Sequence, residues 1–507
     1  MASAKEDLDY DVIIIGAGIS GINFAYRLQE RNPDLRYHIL EERHEIGGTW
    51  SLFKYPGKSV RVYLGLDQLL TCVLGIRSDS DLFTFGFSWR PWTRKHPIAH
   101  GSLISQYLKD CAAEEGIDRK ISYFHRVTRM NWSTQSRTWT LNVTVNNVPG
   151  SNFKSRFVLF GTGYYDYHEP LRAEIPGIEN FLGDVVHPQF WPTEIDLRDK
   201  NVVVIGSGAT AITLLPSVAK TASHVTMLQR SPSYVMPLPS EDTLDKTIRY
   251  ICRTSLAQQL IRLKWIVVPS ALVAFCHRFP NAARRMLLKS TAQQLSKGTP
   301  LAPDFTPKYN PWEQRLCFCP DGDFYDCLRL GKASVKTATI TTITEKTIRL
   351  DSGQELHPDI IVTATGLKLC VGGGIDIFVD EERFHIGEHF LWKGAMVENL
   401  PNVAYSFGYV DASWTLGADA TAKLTCRLLR KMKQEGVTMI VPRMGADEKS
   451  RVREVPFLYL SSTYIERGKG VFPKVGDRYQ WQRRSYYWKD LATALYGNIR
   501  KSIEWRR

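Results

Sequence analysis

Three hydrophobic patterns organise this chain. The first is a short unbroken run of β-branched and aliphatic residues ending at a glycine: Tyr10-Asp-Val-Ile-Ile-Ile leads into Gly16, and Asn201-Val-Val-Val-Ile leads into Gly206. Runs of that length without alternation predict strands buried on both faces of a parallel sheet. Each is followed by helical spacing, over Ile22 to Glu30 in the first case, and then by a second strand, Tyr37 to Glu41 or Val225 to Gln229. The second pattern is a strand closing on small residues, Phe157 to Gly163 and Asp359 to Gly366. Such a pair suits the points where a chain leaves one domain and re-enters it around an inserted one. The third is the apolar stretch Trp265 to Cys276, which contains Pro269 and is shorter than the roughly 20 residues a membrane span needs. It fits a buried helix or a surface-anchoring face, and no transmembrane segment is expected.

The chain has 507 residues, too many for one ordinary core, with 43% hydrophobic and 23% charged residues. Two packed globular domains are expected, and disorder is excluded. A net charge of +13 without a long Lys/Arg run is read as a solvated surface around pockets for polyanionic ligands, not as a nucleic-acid site. Peripheral contact with a membrane stays open. Nine cysteines, with Cys317 and Cys319 too close for a C-x-x-C motif, suit free thiols in a cytoplasmic protein with no metal site. Nothing in the composition fixes an oligomeric state.

Gly16-Ala-Gly18-Ile-Ser-Gly21 fits G-x-G-x-x-G. There the first glycine makes the turn, the second admits a pyrophosphate, and the third lets the helix pack closely. Glu41 ends the next strand where a ribose hydroxyl pair needs an acceptor. Gly206-Ser207-Gly208-Ala209-Thr210-Ala211 repeats the arrangement, but its following strand ends in Arg230. A guanidinium pairs with a 2′-phosphate that a carboxylate would repel. Two loops with different ribose partners imply FAD at the first and NADPH at the second. The expected fold is therefore α/β, with two Rossmann-like dinucleotide-binding domains, the second inserted in the first. Residues 1–165 form the first part of the FAD domain, 166–345 the NADPH domain, and 346–507 the FAD-domain return and C-terminal region.

Between the two loops, Phe181, Gly183, His187, Trp191 and Pro192 fit F-x-G-x-x-x-H-x-x-x-W-P. This resembles the fingerprint of Baeyer–Villiger monooxygenases, a group of the class B flavoprotein monooxygenases. The resemblance runs from about Tyr10 to beyond Trp488 and is nearest the ethionamide-activating branch. Gly48-Thr49-Trp50, Tyr55 to Gly57, Ile76 to Asp81, Asn310 to Leu316 and Tyr409 to Thr415 carry it further. It implies reduction of FAD by NADPH, a C4a-peroxyflavin, and conversion of a small ketone or aldehyde to an ester or lactone by O2. Arg315 takes the place of the active-site arginine, and Asp79 that of its aspartate partner. A fixed cation suits a site where negative charge develops away from water. His187 and Trp191 are expected to couple domain movement more than to transfer protons. Tyr409 and Trp414 fit a pocket wall or the core. N- or S-oxygenation by the same flavin chemistry is the alternative, since the family does not fix the substrate.

One interruption stands out. Eighteen residues, Lys58 to Gly75, separate Tyr55-Pro-Gly57 from Ile76-Arg-Ser-Asp79, and removing them restores the family's spacing to Asp79. The segment is apolar at many positions without an amphipathic period. Back-translated, Gly57-Lys58-Ser59 accommodates a splice donor, Leu70-Thr71 a branch site and Leu74-Gly75 an acceptor. Excision in frame regenerates one glycine codon. A retained or mis-annotated short intron is preferred over a lineage-specific loop, which would point to a eukaryotic source and a role in secondary metabolism. If the segment is translated, a flavin-binding pseudoenzyme is the further alternative.

Overall fold

Strand β1 (Tyr10–Ile15) lies between the strands Tyr37–Leu40 (β2) and Phe153–Phe160, parallel to both. Val12, Ile13 and Ile14 have no exposed surface, which accounts for the unbroken apolar run. Each such side chain stabilises the fold by about 1.5–3 kcal/mol relative to an exposed one. Helix α1 (Ile19–Arg31) follows the glycine loop. Val403–Tyr405 pairs in parallel with Phe153–Phe160, so the chain re-enters this ten-stranded sheet after a long excursion. The antiparallel strands His125–Ser133 and Thr138–Val145 extend it on the far side. The computed structural model describes residues 8–55, 60–63, 69–72, 76–459, 463–468, 470–484 and 486–507.

The excursion builds a second, five-stranded parallel sheet from β3 (Asn201–Ile205), β4 (His224–Gln229) and three further strands. The order is Asp184–Val186, Ile360–Thr363, β3, β4, Ala333–Thr337. Helix α2 (Ala209–Val218) follows the second glycine loop. Ile360–Thr363 is thus a central strand of the second sheet, although it lies beyond residue 345, where the return to the first unit was expected. Its apolar run is buried because it has a parallel neighbour on each side. Only the turn after it, Ala364 to Gly366, leads back.

Helix α3 (Thr254–Arg278) is a single 25-residue element, so the stretch Trp265 to Cys276 is only its second half. Pro269 sits inside it and cannot donate to the Trp265 carbonyl, while the Ser270 hydroxyl donates to the Ile266 carbonyl at 2.7 Å. By length and composition this helix matches a membrane span, but one face, Ala257, Ile261, Ile266, Val273 and Cys276, is buried in the globule. Helix α4 (Trp414–Glu435) packs on α1. A buried ion pair joins them, Arg27 Nε to Asp419 Oδ1 at 2.7 Å.

The intron-like segment 58–75 lies largely outside the described residues. Within it, Val60–Tyr63 and Leu69–Cys72 pair antiparallel with each other and join no other sheet among the described residues.

Candidate functional site

At the first loop, Gly16 adopts φ +98°, and a Cβ there would stand 2.8 Å from the Gly161 carbonyl oxygen. A Cβ on Gly21 would collide with the Gly16 carbonyl, so strand, turn and helix meet where only glycines fit. Gly18 begins α1 without a side-chain cap or an acid in the first turn, leaving the positive end of the helix open to an anion. Gly48 closes over it: a Cβ on Gly48 would lie 3.3 Å from the Gly18 Cα. The gap between the two is a cradle that side chains would fill. Thr49 Oγ1 meets the Tyr167 hydroxyl at 3.2 Å, and Trp50 packs edge-on against Phe85. Glu41 is buried at the end of β2, where the Ala17 and Arg43 amides donate to its two oxygens at 2.6 and 2.9 Å. Burial raises its pKa. These residues fit the adenosine and pyrophosphate end of a dinucleotide.

The second loop repeats the geometry. Gly206 adopts φ +138°, and a Cβ would collide with the Ala364 carbonyl. Gly208 starts α2 uncapped by a side chain, with open space where a Cβ would be, and Ala211 is fully buried against the sheet. Ser207 Oγ donates to the Ser231 carbonyl at 2.9 Å, which fixes the loop carrying exposed Arg230 beside the glycine turn. An exposed guanidinium next to an uncapped helix start fits a phosphorylated ribose.

The two units are joined by two crossing segments that pair with each other. The Asp166 amide donates to the Lys368 carbonyl and the Cys370 amide to the Tyr164 carbonyl, at 2.8 and 2.9 Å. The segment Phe181 to Pro192 lies against both. Gln189 Nε2 donates to the Asp166 carbonyl at 2.6 Å, the Gln189 amide donates to His187 Nδ1 at 3.3 Å, and Thr363 Oγ1 donates to the Val186 carbonyl at 3.3 Å. Burial lowers the His187 pKa and favours a neutral ring. Trp191 packs on the core of the second unit. Tyr55, from the first unit, lies buried beside Thr210 in the second glycine loop.

Arg315 and Asp79 come together as an ion pair, Nη2 to Oδ2 at 3.3 Å, with 36% and 44% of their side chains exposed. Arg315 lines a partly open cavity whose wall includes Tyr164, Phe407, Tyr409, Trp414, Phe457 and Phe472. Tyr409 and Trp414 line this cavity and also pack against the core. Trp414 stacks on Tyr164 with ring centroids 4.9 Å apart, and its indole N–H donates to Ser20 Oγ in the first turn of α1 at 2.9 Å. One ring thus ties the cavity to the first glycine loop. Asp411, Arg483 and Arg484 add polar groups to a mainly aromatic lining, and burial raises the Asp411 pKa.

Sequence reasoning did not single out Tyr164, Tyr167, Gln189 or the Tyr55–Thr210 contact. Tyr164 and Tyr167 directly follow the Gly161-Thr-Gly163 turn, which was the available signal. Gln189 lies inside the fingerprint at a position the pattern leaves free.

Residues 13–262 match the family described as pyridine nucleotide-disulphide oxidoreductase. The chain is 41% identical over 491 residues to the FAD-containing monooxygenase EthA of Mycobacterium tuberculosis, covering 96% of each. Among solved structures it resembles OTEMO in complex with FAD and NADP (TM-score 0.71, 18% identity, 98% of this chain and 100% of that one). It also resembles an oxidized steroid monooxygenase bound to NADP (TM-score 0.73, 19% identity, 98% and 99%). At those identities the two structures show the fold alone. Two glycine-cradled helix starts, an arginine at an aromatic cavity, and near-complete alignment with EthA lead to one conclusion: this chain belongs to the family of FAD-containing monooxygenases.

Proposed function

We propose that this protein binds FAD and NADPH and acts as a Baeyer–Villiger monooxygenase, inserting one oxygen atom of O2 beside the carbonyl of an apolar small molecule to give an ester or lactone. The observation that carries this reading is the Arg315–Asp79 pair at the aromatic cavity. When bound, reduced FAD supplies the activation of O2. Gly16, Gly18, Gly21, Gly48 and Glu41 hold that cofactor, and Gly206, Gly208 and Arg230 hold NADPH.

Arg315 keeps its charge when water is removed, and Asp79 orients its planar donors. Negative charge that develops on the substrate's former carbonyl oxygen is then met by a fixed N–H donor. The aromatic wall binds the hydrocarbon part of the substrate and excludes water. His187, neutral and accepting from the Gln189 amide, holds the turn whose Gln189 side chain is bonded to the Asp166 carbonyl of the crossing segment, which is a positioning role.

The experiment is product analysis with a ketone, a sulfide and an amine of matched size, for wild type and Arg315→Ala. An ester from the ketone, lost by about a hundred-fold or more in the variant with FAD content unchanged, is expected. Oxygenated sulfide or amine with no ester overturns the carbonyl assignment.

A further inference from the structure

The positive charge is not evenly distributed along the chain. Between Lys246 and Pro303 there is no Asp or Glu, while ten Lys and Arg residues occur. The same stretch contains α3, whose outer face is apolar. Leu256, Leu260, Leu263 and Val267 follow each other at helical spacing and are 50%, 37%, 46% and 47% exposed. Ala271 and Ala274 continue the stripe, also exposed. No charged side chain interrupts it until Arg278 in the last turn. Helical rise makes the stripe from Leu256 to Ala274 about 27 Å long. A stripe of that length facing water is unusual on a soluble protein and marks an interaction surface.

We propose that the outer face of α3 docks on an anionic lipid surface, with the helix lying in the interface plane. Charge complementarity selects this occupant. Exposed Arg253 precedes the stripe, exposed Arg278 ends it, and Arg285 and Lys289 are exposed on the following helix, Pro280–Gln294. Cations bordering an apolar helical face are the arrangement that binds anionic headgroups while the apolar residues enter the acyl boundary. Phe279 and Met286, 53% and 43% exposed, add apolar surface at the same end. The buried face keeps α3 a docking element and not a span: Ile261 belongs to the main core, and Ile266 packs with Tyr409 and Leu416.

That inner face adjoins the cavity. Tyr409 lines it, and the His277 ring lies 6.3 Å from the ring of Tyr459, another lining residue. One helix therefore separates the docking face from the aromatic chamber. On the monooxygenase reading above, the substrates suited to this arrangement are apolar carbonyl compounds dissolved in lipid, though docking itself does not depend on that reading.

The test is co-sedimentation of the FAD-loaded protein with phosphatidylcholine vesicles, with and without one-third phosphatidylglycerol. Binding to the anionic vesicles, at least ten-fold stronger than to the neutral ones, is expected. A variant with Leu256, Leu260, Leu263 and Val267 each changed to Gln loses binding, and Arg278→Gln with Arg285→Gln weakens it about five-fold per charge. NADPH oxidation with a short water-soluble ketone stays at the wild-type rate in both, which shows that they fold. Equal sedimentation of wild type and the four-Gln variant, or failure of the wild type to bind either vesicle, overturns the proposal. So does a dimer in solution that the four-Gln variant converts to monomer, since a second copy of the chain would then cover the face.

Discussion

Consider a chain from which residues 58–75 are deleted. The ends of this segment are anchored independently of it: the Gly101 amide donates to the Ile76 carbonyl at 2.6 Å, and a Cβ on Gly101 would lie 3.2 Å from the Trp50 carbonyl. Tyr55 is buried within electrostatic reach of Arg77 and Asp79. Twenty residues now connect Tyr55 to Ile76, and two, Pro56 and Gly57, remain after deletion. At about 0.6 kcal/mol per doubling of loop length, closing the shorter connection costs about 2 kcal/mol less. In a protein of this size that is a rise of about 2 °C in Tm. The assay compares full-length and deleted proteins for bound flavin, thermal unfolding, and NADPH oxidation with ketones. Equal or higher flavin content, a higher Tm and turnover are expected for the deleted form. A deleted protein that fails to bind flavin, or a peptide spanning Tyr63 to Leu70 recovered from active native enzyme, refutes the intron reading.

Arg230→Gln is expected to raise the KM for NADPH by ten- to a hundred-fold and to leave that for NADH nearly unchanged, as steady-state kinetics would show; equal effects on both would remove Arg230 from the phosphate site. Gly21→Ala drives a methyl group into the Gly16 carbonyl, so purified protein is expected to carry little flavin by its visible spectrum. Full flavin loading would mean that the turn can shift. Burial raises Asp81, which caps the helix Leu82–Phe85, to about 6. The folded protein therefore holds a proton that the unfolded chain releases near pH 4, and the resulting stability, complete below pH 4, is lost as the pH rises through 6. Asp81→Asn keeps the cap oxygen and removes this titration. Relative to wild type it is expected to gain up to about 3 kcal/mol between pH 4 and pH 7 in denaturant melts, and an unchanged difference would contradict the shift.

Both glycine loops could be read from the sequence because their conformations demand glycine locally. Gly16 and Gly206 have positive φ, and Gly21 touches backbone one turn away. The Arg315–Asp79 pair has no local signature and was legible only through family resemblance, because each residue alone resembles any surface charge. The boundary near residue 345 falls short of Ile360–Thr363 for a related reason: a buried apolar strand carries no mark of which neighbours it has. Helix α3 shows the same limit. Apolar residues on nearly all sides erase the periodicity that would separate its inner face from its outer one. The contribution of Gln189 depends on its reach to the Asp166 carbonyl, which appears only once the chain is folded.

The paired crossing segments have a mechanical consequence. Two hydrogen-bonded strands resist stretching and sliding but yield to twist, so the unit carrying Arg230 is expected to swing about this ribbon like a door on two pins. Drawing the units straight apart would break the Asp166–Lys368 and Cys370–Tyr164 bonds together. The Asp166 and Cys370 amides should then be among the slowest to exchange with solvent, even while the units turn. Fast exchange there would mean that the pins come out.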